Sequence, residues 1–177
     1  MSSTERTLEA RLRAIEDRLE IYNLIASHPP SADTGADYYT RAVYTEDGVF
    51  DRGSGLDGAV GHEAIAAFTL RPEHQEAIAG GMAHMSTLPY VEIEGDTAYV
   101  TSYLQIVHPD RESAPRELPN HGTTTGFRIH RVVTNRWTLV RTETGWKIAK
   151  RHMEPVDGTQ GYRDILTEAL EKYRESA

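Results

Sequence analysis

The chain has 177 residues, enough for one domain with a sizeable core, and a formal net charge of -8. That acidic balance argues against nucleic acid or an anionic membrane surface as a partner, and the absence of cysteine excludes disulfides and a thiolate nucleophile. No apolar run approaches the roughly 20 residues of a membrane span, and the charged N-terminal stretch lacks the apolar centre of a secretory signal, so a soluble, cytoplasmic protein is expected.

Ser2-x-x-Glu5 has the form of a capping box, and Leu8, Leu12, Ile15, Leu19 and Tyr22 follow a 4-3-4-3 spacing. The spacing predicts an amphipathic helix packed on its own domain. His28-Pro29-Pro30 must end it, because proline lacks an N–H and disfavours helix in its predecessor. Thr34 and Asp37 can cap a second helix through about Tyr44, leaving Asp33 between the two. A short strand is expected at 49–51, a short helix at 62–68 and a further turn or two at 72–79, ended by Gly80-Gly81. Gly53-Ser54-Gly55-Leu56-Asp57-Gly58 has the GxGxxG spacing but no βαβ context, so it reads as a flexible loop.

From His84 onward the pattern turns to strands. Segments 87–93 and 97–107 flank the Glu94-Gly95-Asp96 turn, and Pro109, Pro115 and Pro119 punctuate a polar loop reaching Gly122. Segments 134–141 and 146–153 form a hairpin around Thr142-Glu143-Thr144-Gly145. Lys147, Lys150 and Arg151 read as a solvated face. Tyr162, Ile165, Leu166, Ala169 and Tyr173 fit a closing helix at about 161–175. Helices first and antiparallel strands later predict a single α+β domain spanning 1–177, with a curved antiparallel sheet closed into a cone by the N-terminal helices.

Four polar residues interrupt apolar surroundings. Asn135 shares a strand face with Val133, Trp137 and Leu139, and an unpaired buried amide costs roughly 1–3 kcal/mol, so it is either a satisfied core amide or the wall of a pocket. His108 ends the row of Ala98, Val100, Leu104 and Ile106, at a core rim or inside a cavity. His84 opens a strand whose faces are consistent only if a bulge at Pro89 switches them. Asp33 suits an Asx turn as well as a site. Tyr22, Tyr44, Tyr103, Trp137 and Trp146 are candidate walls. Asp33, His84 and His108 could in principle hold a metal, but no HxD or HxxxH spacing pre-positions ligands, so none is expected. No GxSxG is present.

These residues, with Gly61-His62-Glu63-Ala64-Ile65 opening a short helix and the run from Val140 to Ile148 through Trp146, resemble the SnoaL-like and scytalone-dehydratase-like branch of the NTF2-like superfamily. The likeness covers roughly residues 8–155. It implies an NTF2-like cone-shaped α+β barrel with a deep apolar pocket, often in a homodimer or homotrimer. Within scytalone dehydratase, the catalytic aspartate, its partner histidine, the second histidine and the asparagine match Asp33, His84, His108 and Asn135. Two tyrosines that orient a water on the dehydratase substrate are replaced by Ala32 and Arg52, which puts scytalone itself in doubt as substrate and sets Arg52 at the expected binding surface.

The resemblance implies a cofactor-independent β-elimination on a small cyclic or polyketide-like molecule. His84 would be the base, Asp33 its orienting partner, His108 the acid toward the leaving group and Asn135 a hydrogen-bond donor to a substrate oxygen. An isomerase or cyclase using the same base, and a non-catalytic binder of an apolar ligand, are the competing expectations.

Overall fold

The computed structural model describes residues 7–53 and 55–176. The capping box expected at Ser2 and Glu5 lies outside them. The first helix, α1 (Leu8–Ala26), is instead capped by Thr7, whose hydroxyl accepts from the Ala10 N–H at 3.2 Å. Its inward face is not the expected stripe. Leu8, Leu12, Ile15 and Leu19 are exposed, while Asp17, Ile21 and Ile25 are buried. The helix is turned the other way because Asp17, a charge that should face water, is claimed by Arg141 and Trp146 from the hairpin.

Pro29 and Pro30 start a helix rather than only ending one. They occupy the first turn of α2 (His28–Thr34), where a missing N–H costs nothing. Asp33 therefore sits on a helix and not in a linker. Gly35, at φ 64°, closes α2 in the left-handed conformation that glycine adopts freely. Asp37 does not cap. It is the first residue of α3 (Asp37–Val43) and pairs with Arg41 one turn on. Two further short helices, α4 (His62–Thr69) and α5 (Pro72–Ala79), follow as the sequence predicts.

The strands are β1 (Tyr44–Asp51), β2 (Ala59–Val60), β3 (Ala83–Ser86), β4 (Tyr90–Glu94), β5 (Thr97–Pro109), β6 (Arg116–Leu118), β7 (Gly122–Thr124), β8 (Phe127–Thr142) and β9 (Gly145–Pro155). Seven of them form one sheet in the order β2-β1-β9-β8-β5-β3, with β4 also paired to β5. The expected strand 87–93 starts only at Tyr90, after Pro89, and β3 and β4 lie one after the other along β5. The polar loop 109–122 holds a strand of its own, β6, which pairs with β7 in a separate two-stranded ribbon.

Two features of the expected sheet are corrected. The β1–β9 pairing is parallel, so the sheet is mixed. Among the described residues β2 and β3 are opposite edges of an open, curved sheet, and no closed barrel forms. Helices α1 to α5 cover one face, where Ile21, Ile25, Trp137, Leu139 and Trp146 make the main core. On the other face lies α6 (Gly161–Leu170), continued by a 3-10 turn at Glu171–Ser176. There Arg136 pairs with Glu92 at 3.0 Å and Glu168 at 3.5 Å.

Candidate active site

A cavity of about 710 Å³ opens between the short helices and the covered face of the sheet. His84 lines it from β3, and Asp33, on α2, meets His84. His84 Nδ1 lies 2.6 Å from Asp33 Oδ1, and the His84 backbone N–H donates to Asp33 Oδ2 at 3.0 Å. The carboxylate therefore fixes both the ring and the strand that carries it. With Nδ1 donating to Asp33, Nε2 carries the lone pair, and it has no hydrogen-bond partner among the described residues. Burial pushes the His84 imidazole below its ordinary value, more than Asp33 raises it, so the ring is neutral near pH 7.

The second feature is Arg151. It is 3% exposed and no carboxylate among the described residues pairs with it. Its Nε donates to Asn135 Oδ1 at 2.9 Å and its Nη1 to His28 Nε2 at 2.9 Å. The guanidinium lies 4.3 Å from the Trp137 ring centre and 5.1 Å from that of Phe50. A guanidinium only donates, so His28 accepts through Nε2 and is neutral. Burial first, then the charge of Arg151, hold the His28 imidazole well below its ordinary value. Burial likewise lowers Arg151 to about 10 and raises the nearby Tyr44 to about 12. Arg151 is still a cation at neutral pH.

Register explains these placements. His84, Ile106 and Arg131 pair in one row across β3, β5 and β8, and cross-strand partners project to the same face. Phe50, Arg151, Trp137 and Val100 form another row. The register slips between Thr138 and Leu139, whose partners Lys150 and Ile148 skip Ala149. This bulge exchanges the faces of β9, turning Lys150 outward and Arg151 inward. Simple alternation from Trp146 and Ile148 gives the reverse, which is why Arg151 reads as solvated in the sequence. His28 is hidden for another reason: its prolines announce a break, not a helix start facing a cavity.

Of the expected site residues, Asp33 and His84 meet, and Tyr44 and Arg52 line the same cavity. Asn135 is 1% exposed and stands behind Arg151; its Nδ2 has no partner among the described residues. Trp137 is core, a floor under Arg151, with its Nε1–H donating to Ser102 Oγ at 3.3 Å. Trp146 is core as well and donates to Asp17 Oδ1. Tyr22 borders a different hollow, between α1 and β4. Tyr103 is exposed on the opposite side of its strand from Ser102 and Leu104. His108 is not brought to the dyad. The β5–β8 register slips between Ile106 and Val107, and His108 comes to rest beside His130, with ring centres 5.9 Å apart and Nδ1 3.0 Å from the Pro109 carbonyl oxygen.

The SnoaL-like domain model matches residues 13–152, which takes in the dyad, Asn135 and Arg151. The chain belongs to the SnoaL-like family. An NTF2-like protein with a cystatin-like fold from Novosphingobium aromaticivorans is 33% identical, with 93% of this chain and 99% of that one aligned at a TM-score of 0.80. A protein from the same organism, provisionally assigned as an aromatic ring hydroxylase, is 29% identical over 84% of this chain and 96% of its own, at a TM-score of 0.57. A third from that organism, provisionally named a scytalone dehydratase, shares the fold at 16% identity, 85% and 89% coverage and a TM-score of 0.59. No curated protein matches the sequence. The SnoaL-like fold is thus the NTF2-like, cystatin-like one, and no described helix is long and apolar enough to cross a membrane.

Proposed function

We propose that this SnoaL-like chain is a lyase of the dehydratase type that removes a carbon-bound proton from a small cyclic substrate without a cofactor. The observation that carries the reading is the 2.6 Å contact between Asp33 Oδ1 and His84 Nδ1, which leaves a neutral Nε2 at the cavity. Nε2 takes the proton, and Asp33 stabilises the imidazolium that forms. Negative charge then develops on the substrate oxygen conjugated to the carbanion. Arg151, already desolvated and held by Asn135 and His28, answers it with a fixed positive charge. The new Nε2–H can return its proton to a hydroxyl leaving from the same face, so one histidine serves as base and then as acid. His108 has no part in this scheme, and Asn135 acts as a positioning residue for Arg151 and not as a donor to substrate.

An isomerase would share the first step and differ only in where the proton returns. Both readings are tested by incubating small cyclic hydroxy-ketones with the protein in deuterated water and following exchange and loss of water by NMR. His84→Ala is expected to lower the rate by about 10²–10⁴-fold, the usual contribution of a positioned general base. Asp33→Asn should fall in the same range, with circular dichroism unchanged. Full turnover in His84→Ala would remove the dyad from the chemistry.

A further inference from the structure

Arg151 is not the only unmatched cation in the cavity. Arg52, Arg71 and Arg131 line it too, and no carboxylate among the described residues lies within ion-pair distance of any of them. Arg41, Arg128, Arg136 and Arg141 elsewhere each engage at least one carboxylate, while Arg18 and Arg111 donate to the backbone carbonyls of Val91 and Gly80. Carboxylates are not scarce, since the chain has 27 acidic residues against 19 basic ones. The lining offers a single one, Glu73, which is exposed at the rim; Asp33 is committed to His84.

The three cations come from separate elements and converge. Arg52 follows β1, Arg71 immediately precedes α5, and Arg131 lies on β8. Arg71 stacks 3.6 Å from the centre of the Phe68 ring, and Arg52 lies 5.2 Å from it. Burial lowers the Arg52 guanidinium, and the charges of Arg131 and Arg71 lower it further against a weaker opposing pull from Asp57. Two cations on one apolar ring and a third, Arg131, close enough to act on Arg52 repel one another unless something negative joins them. The surroundings are apolar enough to make that joining selective.

The row His84–Ile106–Arg131 fixes the scale. Two strand spacings separate its ends, or about 10 Å. A six-membered ring carrying one acid group spans that interval, with a ring carbon near His84 and the acid group near Arg131.

We propose that the substrate is an organic carboxylate: a ring compound whose carboxylate is held by Arg52, Arg71 and Arg131 while a ring C–H faces His84. The choice of ring carbon rests on the dyad reading given above; the recognition of the carboxylate does not. Arginine forks pair with carboxylates in two parallel hydrogen bonds, which gives orientation as well as attraction.

The probes are 2-naphthoate and 2-naphthamide, equal in shape and different in charge, titrated by calorimetry. Charge-assisted hydrogen bonds of this kind favour the carboxylate by about tenfold or more. The expected result is that ratio in the parent protein, a fall to within about twofold in the Arg52→Ala/Arg131→Ala double variant, and partial recovery when Arg131→Lys replaces Arg131→Ala. Equal binding of the two probes, failure of the naphthoate to bind, or a preference that survives the double substitution would overturn the proposal. The His84→Ala protein should keep the preference. If its preference is intact and its turnover is undiminished, the base assignment falls and the carboxylate site stands; the converse pattern separates the two the other way.

Discussion

Burying a guanidinium without a carboxylate works against folding, and Arg151 makes the cost visible. Its folded value of about 10, against an ordinary 12.5, corresponds to roughly 3 kcal/mol at any pH below both. Arg151→Met removes that charge and leaves Asn135 Oδ1 and His28 Nε2 without their donor, a loss of about 1 kcal/mol each. The variant should be as stable as the parent or slightly more so by urea unfolding, while proton exchange on substrate falls by about 10²-fold or more. His84 and His28 give a second expectation. Both rings are held below the ordinary imidazole value of 6.5, so between that value and their folded values the unfolded chain binds more protons. Stability is therefore full above pH 6.5 and declines as the pH falls below it, until the native rings themselves protonate. Urea midpoints at pH 7.5 and 5.5 check this. The same depression keeps His84 a free base into mildly acid solution, so the acid limb of kcat/KM should lie below pH 6.5.

At the level of elements, α1 is held by polar bonds where hydrophobic patterning would have used leucines. Arg141 gives Asp17 two hydrogen bonds, at 2.6 and 2.7 Å, and Trp146 Nε1 adds one at 3.2 Å. Glu20 accepts from the Trp146 backbone N–H at 2.7 Å. Gly145, at φ 107°, lets the chain turn directly beneath that carboxylate. Asp17→Ala leaves the Arg141 Nη groups and the Trp146 indole N–H without their acceptor, although Arg141 Nε keeps Asp96, and unfolding free energy should drop by about 2–3 kcal/mol. Leu12→Ala, on the exposed side of the same helix, should change it by no more than about 0.5 kcal/mol. The sequence predicted this helix with its inward face reversed. Spacing alone cannot tell that a carboxylate will find a fork 124 residues away. It was equally silent on β6 and β7, a ribbon whose residues are all exposed and so carry no hydrophobic pattern.

Across the whole molecule, legibility followed burial. Asn135 and Trp137 stood out because Val133, Asn135, Trp137 and Leu139 share one strand face and are all buried beneath the helices, and the resemblance drew Asp33 and His84 together although 51 positions separate them. Arg151, His28 and the pair Arg71 and Arg131 were obscured by a bulge, a proline pair and ordinary polarity, whereas Arg52 was reached through the resemblance. The parallel contact of β1 with β9 was also out of reach, since no local turn announces it. That contact carries a consequence for biosynthesis. Tyr44 meets Ile148 and Phe50 meets Arg151, so the early half of the chain waits for nearly all the rest before its inner wall exists. A nascent polypeptide that has already released Asp33 and His84 from the ribosome still lacks the cation opposite them. The ligand can therefore reward only a finished product, and a ribosome stalled before the last strand would release a fragment with no affinity to rescue it.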